Sequence, residues 1–167
     1  VKQSASRVLS SLNSWLNHHG NQGAGGESRL ITTFSAVVFK STTAYVFHVG
    51  DSRVYSLRRG QLQQLTRDHV QVNSLGAQRF LTRALGIDSH LQVDVCEYEL
   101  EQGDVFVLTT DGVHEWVSEA EIQAHILNAA TTELEVVAAT ICRQALAAGS
   151  QDNASCILAK VQTLPSP

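Results

Sequence analysis

The chain has 167 residues, 43% of them hydrophobic, and a formal net charge of -4 from 12 basic and 16 acidic residues. That is enough apolar material for one globular core, while no apolar run approaches the roughly 18 residues of a membrane span and no signal-peptide h-region opens the sequence. So small a basic complement excludes a face built for the phosphate backbone of nucleic acid.

Val1, Ala5, Val8, Leu12 and Leu16 recur at three- and four-residue steps, which predicts an amphipathic helix over residues 1–18. It begins abruptly, with no capping residue or lead-in, so the sequence is expected to start partway through a domain. The glycine-rich segment 20–26 matches neither GxxxxGK[ST] nor GxGxxG and reads as a loop. Strands are predicted over 32–39, 44–49, 53–58, 61–65, 91–99, 104–110 and 155–161, punctuated by turn residues such as Ser41, Gly60 and Gly103. Val105, Phe106, Val107 and Leu108 are continuously apolar, as in a strand buried on both faces in the middle of a sandwich.

Two helices interrupt the late strands. Ser118 with Glu121 and Thr132 with Glu135 each read as a capping box ahead of apolar residues at helical spacing, and Gly149 is placed to end the second helix. Strands in hairpin succession with helices grouped at the ends predict an α+β fold, a two-sheet antiparallel β-sandwich flanked by helices. Residues 1–167 are taken as one domain with a short tail at 162–167. Cys96, Cys142 and Cys156 are odd in number and unpaired by any CxxC; they are expected to be small core residues in a reducing, cytoplasmic setting.

Three acidic residues stand at strand ends beside small residues: Asp51 between Gly50 and Ser52, Asp111 before Gly112, and Asp152 before Asn153. Each alone has an ordinary reading as a turn former or cap. Together, ionised carboxylates fixed at the end of a buried sheet would need a cation, and oxygen donors without matching His or Cys favour Mg²⁺ or Mn²⁺ over zinc. Arg53 is expected to clamp a neighbouring carboxylate more than to touch phosphate. His69 and His114 are expected as hydrogen-bonded structural residues, and no GxSxG elbow or activated Cys points to a covalent nucleophile.

Gly50-Asp51-Ser52-Arg53, Thr110-Asp111-Gly112 with Glu115 soon after, and Asp152-Asn153 before a terminal strand resemble, in order, the motifs of the metal-dependent serine/threonine phosphatases of type 2C (PPM). Thr32-Thr33, Thr66-Arg67-Asp68-His69 and Leu81-Thr82-Arg83-Ala84-Leu85-Gly86 resemble the bacterial branch of that family, so that the likeness runs from about residue 32 to 161. The resemblance implies Asp111 and Asp152 as ligands of a pair of Mn²⁺ or Mg²⁺ ions, with Asp51 and Asp111 holding a third. It also implies hydrolysis of phosphoserine or phosphothreonine in a phosphorylated protein substrate, by attack of a metal-activated water and without a phosphoenzyme.

Family members also carry, ahead of the helix that opens this chain, an acidic pair, an Asp-Gly step bridging the metals and a phosphate-binding arginine. Here no Asp or Glu precedes Glu27, and the stretch from His69 to Leu81 is shorter than the family's flap. The alternative expectation is therefore a catalytically degenerate phosphatase fold, serving as a regulatory or binding module beside a protein kinase in the same chain or pathway. A carboxylate-metal site used for another hydrolysis is the third.

Overall fold

The computed structural model describes residues 1–20, 29–73, 79–129 and 133–165. Gly20, expected to open the glycine-rich loop, is the last residue of the first helix, whereas residues 21–26 of that segment and the Thr132 cap lie outside the described residues. In chain order the elements are α1 (Lys2–Gly20), β1 (Phe34–Lys40), β2 (Thr43–Val49), β3 (Arg53–Arg58), β4 (Gln61–Gln64), β5 (Val70–Val72), β6 (Arg79–Leu81), β7 (Asp94–Glu99), β8 (Val105–Thr109), α2 (Asp111–His114), α3 (Glu119–Asn128), α4 (Leu134–Ala147) and β9 (Cys156–Lys160).

Two antiparallel sheets face each other, one ordered β1-β2-β7 and the other β4-β3-β8-β9, and β5 and β6 form a separate small hairpin. The expected sandwich with flanking helices is therefore present. β8 lies inside its sheet between β3 and β9, and its alternation separates two cores. Val105 and Val107 turn to the helices, where they pack with Tyr55, Val113, Ile122 and Ile141. Phe106 turns to the other sheet and joins Ala44, Val46 and Val54. A strand with both faces covered must be apolar throughout, the pattern its sequence shows.

Local signals fix most element ends. Ser118 caps α3 in a complete capping box with Glu121, and Gly149, at φ +110°, follows the last turn of α4. Glu133 is the N-cap of α4 and makes no side-chain cap bond. The hairpin β5–β6 and the single turn α2 were not expected.

Two burial expectations differ from the structure. Along α1 the buried residues are Leu9, Asn13 and Gly20, while Val8 and Leu12, from the expected apolar stripe, are exposed. Asn13 is accommodated because its amide donates to the Asp88 carbonyl at 2.8 Å and its oxygen accepts from Gly86 N–H at 2.8 Å. Cys96, expected in the core, is exposed on β7, whereas Cys142 and Cys156 are half-buried.

Candidate functional site

Register brings the three expected acids to one end of the larger sheet. β3 pairs with β8 through Arg53↔Thr109, and β8 pairs with β9 through Thr109↔Cys156. The chain just before β3, just after β8 and just before β9 therefore leaves the sheet on the same side. Asp51, Asp111 and Asp152 occupy those three places.

Asp51 sits on a turn that requires glycine beside it. Gly50 has φ +115°, and a Cβ there would lie 2.5 Å from Thr33 Cγ2. The Asp51 carboxyl is half-buried and its pKa is raised, by desolvation first and then by the charge of Asp111. Asp111 opens α2 and accepts its neighbour Gly112 N–H at 2.9 Å through Oδ1. Asp152 is exposed and accepts Asn153 N–H at 2.7 Å in the same way.

The Asp111 turn and the Asp152 loop are stitched together. Thr110 Oγ1 donates to the Asn153 carbonyl at 3.0 Å and accepts from Ser155 N–H at 3.0 Å. Gly112 lies so close that a Cβ would be 2.6 Å from the Asn153 carbonyl oxygen.

Asp51 and Asp111 are thus within electrostatic reach of each other, with Asp152 on an adjoining loop. Among the described residues, no three His, Cys, Asp or Glu side chains are grouped so that they could hold a metal ion. What is present fits a hard divalent cation in a less enclosed form. The donors are oxygens, and two carboxylates repel each other in partial burial, a repulsion that a cation would relieve. Mg²⁺ in particular is commonly held by one or two carboxylates, with water and phosphate oxygens completing its shell.

A charged lattice surrounds the two acids. Arg53 grips Asp68, as expected of a clamp, with Nε at 3.0 Å from Oδ1 and Nη2 at 2.8 Å from Oδ2. Arg79, on β6, pairs with Glu115 and reaches Asp68 at 3.5 Å. Its charge lowers the Asp51 pKa, against burial and against the charges of Asp111 and Asp68. The roles of Asp68 and Arg79 were not legible beforehand, because their partners lie 11 to 36 residues away and meet only in the folded chain.

His69 is hydrogen-bonded through both ring nitrogens, to Gly50 N–H and to Asp94. His114 is buried, with Nδ1 3.1 Å from Thr109 Oγ1 and Nε2 without a hydrogen-bond partner among the described residues. Burial, reinforced by the Arg53 charge, lowers its pKa to about 4.

Comparison with known proteins gives consistent likenesses. The sequence model of the Stage II sporulation protein E (SpoIIE) family matches residues 2–162. The serine/threonine phosphatase stp of Listeria innocua is 30% identical over 141 residues, which cover 76% of this chain and 55% of the relative. Among solved structures, PppA, a regulatory component of the T6SS in Pseudomonas aeruginosa, superposes with a TM-score of 0.79 at 26% identity, over 90% of this chain and 65% of that one. The catalytic domain of the serine/threonine protein phosphatase PstP, in complex with two manganese ions, gives a TM-score of 0.76 at 26% identity, over 90% and 67%. The chain spans about half the length of the curated relatives it matches.

Proposed function

Because the chain belongs to the SpoIIE family of PP2C-type serine/threonine phosphatase domains, we propose that the protein removes phosphate from phosphoserine and phosphothreonine of a phosphoprotein, with Mn²⁺ or Mg²⁺ held at the Asp51–Asp111 end of the larger sheet. The observation that carries this reading is the strand register that gathers Asp51, Asp111 and Asp152 at one end of the larger sheet, with the raised pKa of the half-buried Asp51 in keeping with it. In this reading Asp111 and Asp152 contribute to a pair of ions, and Asp51 with Asp111 holds a third. A bound divalent ion supplies Lewis-acid polarisation of a phosphoryl oxygen and a more acidic water.

The chain's own residues do the positioning. The Thr110–Asn153 stitch holds the Asp111 and Asp152 turns together, and the N–H of Gly112 fixes one Asp111 oxygen. Arg53 is committed to Asp68, so it serves the frame more than the phosphate. Burial pushes the Cys156 thiol up to about 12 and raises Cys142 as well, which leaves neither suited to act as a thiolate nucleophile. A cytoplasmic setting and a protein kinase that supplies the phosphoprotein belong to the same proposal.

Phosphate release from a phosphothreonine peptide by the full-length protein, with and without Mn²⁺, tests it. Asp111→Asn is expected to lower Mn²⁺-dependent turnover by on the order of 100-fold or more with an unchanged circular dichroism spectrum; an unchanged rate would remove Asp111 from the site. A faster reaction on a phosphodiester would instead point to another hydrolysis. The second reading, a degenerate regulatory module, draws on the lack of a three-donor group among the described residues. Binding of the phosphopeptide without turnover at saturating Mn²⁺ and Mg²⁺ would favour it.

A further inference from the structure

Behind the Asp51 turn lies a buried polar network that the proposed chemistry leaves unused. His69 is 4% exposed and sits between the Gly50 peptide and Asp94. Its own N–H donates to the Gly50 carbonyl at 2.7 Å, and its ring Nδ1 accepts the Gly50 N–H at 3.0 Å. One residue thereby holds both polar groups of the glycine that precedes Asp51.

The bonding also fixes the tautomer. A backbone N–H can only donate, so Nδ1 carries the lone pair and Nε2 carries the proton, which it donates to Asp94 Oδ2 at 3.0 Å. Asp94 is held in turn by Arg83, whose Nη1 is 2.8 Å from Oδ1. Burial opposes ionisation of Asp94, but the hydrogen bonds from His69 and Arg83 keep its pKa below the usual carboxylate value. His48, itself 1% exposed, lies against the His69 ring with centroids 4.7 Å apart and the ring planes tilted by 38°. Ser35 Oγ, 2.9 Å from Nδ1, and the Arg67 carbonyl, 3.1 Å from Nε2, anchor His48.

Gly50 has little alternative to this arrangement. Its φ of +115° is reached with Thr33 packed against the position a Cβ would occupy, so the peptide is boxed in on one side and hydrogen-bonded on the other. A carboxylate bearing a cation is only as well aimed as the backbone that carries it, and partners beyond the ligands commonly set that aim.

We infer that His69, oriented by Asp94 and Arg83, is a positioning residue that locks the Gly50 peptide and so aims the Asp51 carboxylate toward Asp111. This rests on the phosphatase reading for its consequence, metal affinity, and on the hydrogen bonds alone for its geometry. Asn at position 69 can still present an oxygen near the place of Nδ1, whereas Phe fills the space and accepts nothing.

The test measures Mn²⁺ binding to the full-length protein by electron paramagnetic resonance, alongside hydrogen exchange at the Gly50 and Asp51 amides. His69→Phe is expected to weaken the weakest Mn²⁺ site by about 10- to 100-fold, with faster exchange at both amides, and His69→Asn to recover most of both. Equal Mn²⁺ affinity in His69→Phe and wild type, or no recovery in a folded His69→Asn, overturns the inference. If wild type binds no Mn²⁺, the phosphatase reading fails by itself, and exchange decides the geometry: slower exchange in His69→Asn than in His69→Phe supports the lock, and equal exchange refutes it. Should His69→Phe fail to fold, Asp94→Ala carries the same test: with the Nε2 partner gone, the Gly50 and Asp51 amides should exchange faster and Mn²⁺ should bind more weakly, and undiminished affinity overturns the inference.

Discussion

Arg53 and Asp68 form a two-pronged ion pair, with Nε and Nη2 reaching separate carboxylate oxygens, and the two side chains are only 23% and 11% exposed. Burial works against the Asp68 charge, yet the Arg53 hydrogen bonds hold its pKa below the usual carboxylate value, and Arg53 is raised in return. A partly buried bidentate pair of this kind couples strongly. A double-mutant cycle with Arg53→Ala and Asp68→Ala, followed by urea unfolding, is expected to give an interaction of about 1–3 kcal/mol. A coupling near zero would mean that the pair is a surface contact like any other.

Asp51 behaves in the opposite sense. Its folded pKa is raised, so its contribution to folding of the metal-free protein is fully present below the unfolded value of 3.8 and is lost as pH rises through the higher folded value. Asp51→Asn removes that loss. In chelator-treated protein the stability advantage of Asp51→Asn over wild type should therefore grow from pH 3.5 to pH 7, the values chosen to bracket the ordinary carboxylate range. Added Mn²⁺ should reverse the order by stabilising wild type alone. Parallel pH profiles for the two proteins would show that neither burial nor the charge of Asp111 raises the Asp51 pKa.

The parts of this architecture that could be read in advance share a short range. Ser41, Gly60 and Gly103, which punctuate the sequence, adopt the positive φ angles of tight turns, and Ser118 with Glu121 needs only four residues to declare a helix start. The acids Asp51, Asp111 and Asp152 were visible for the same reason, as turn residues at the ends of apolar strands. The hairpin of Val70–Val72 with Arg79–Leu81 was not, because three-residue strands show no period. Periodicity along α1 identified an apolar face but not what covers it, and Asn13 is buried because Gly86 and Asp88 satisfy its amide. The links of Arg53 to Asp68 and of His69 to Asp94 join residues 15 and 25 apart through the loop that follows β4, which no local pattern encodes.

His114 gives a second pH signature. Its folded pKa of about 4 lies below the ordinary 6.5, set by burial and by the Arg53 charge. The stability this represents is fully present above the unfolded value and is lost as pH falls toward the folded one. Relative to wild type, His114→Leu should gain stability between pH 7 and pH 4, by an amount on the order of 3 kcal/mol at the acid end of that range. Urea midpoints for both proteins across that range measure it, and a constant difference would show that His114 titrates normally.

Gly112 is where the Asp111 and Asp152 turns meet. Gly112 approaches the Asn153 backbone so closely that a Cβ would sit 2.6 Å from its carbonyl oxygen and 3.0 Å from its carbonyl carbon. Neither atom is the end of a flexible side chain, so Gly112→Ala has to push the whole loop outward. That movement strains the Thr110 bonds to Asn153 and Ser155 and separates the two acids it joins. A stability loss of about 1–3 kcal/mol is expected from the overpacking, together with weaker Mn²⁺ binding in calorimetric titration. The conservative partner Thr110→Ser keeps the hydroxyl and should leave Mn²⁺ affinity within about twofold, since the hydrogen bonds rather than the methyl tie the loops. Unimpaired Mn²⁺ binding by Gly112→Ala would show that the separation of Asp111 and Asp152 does not govern the site.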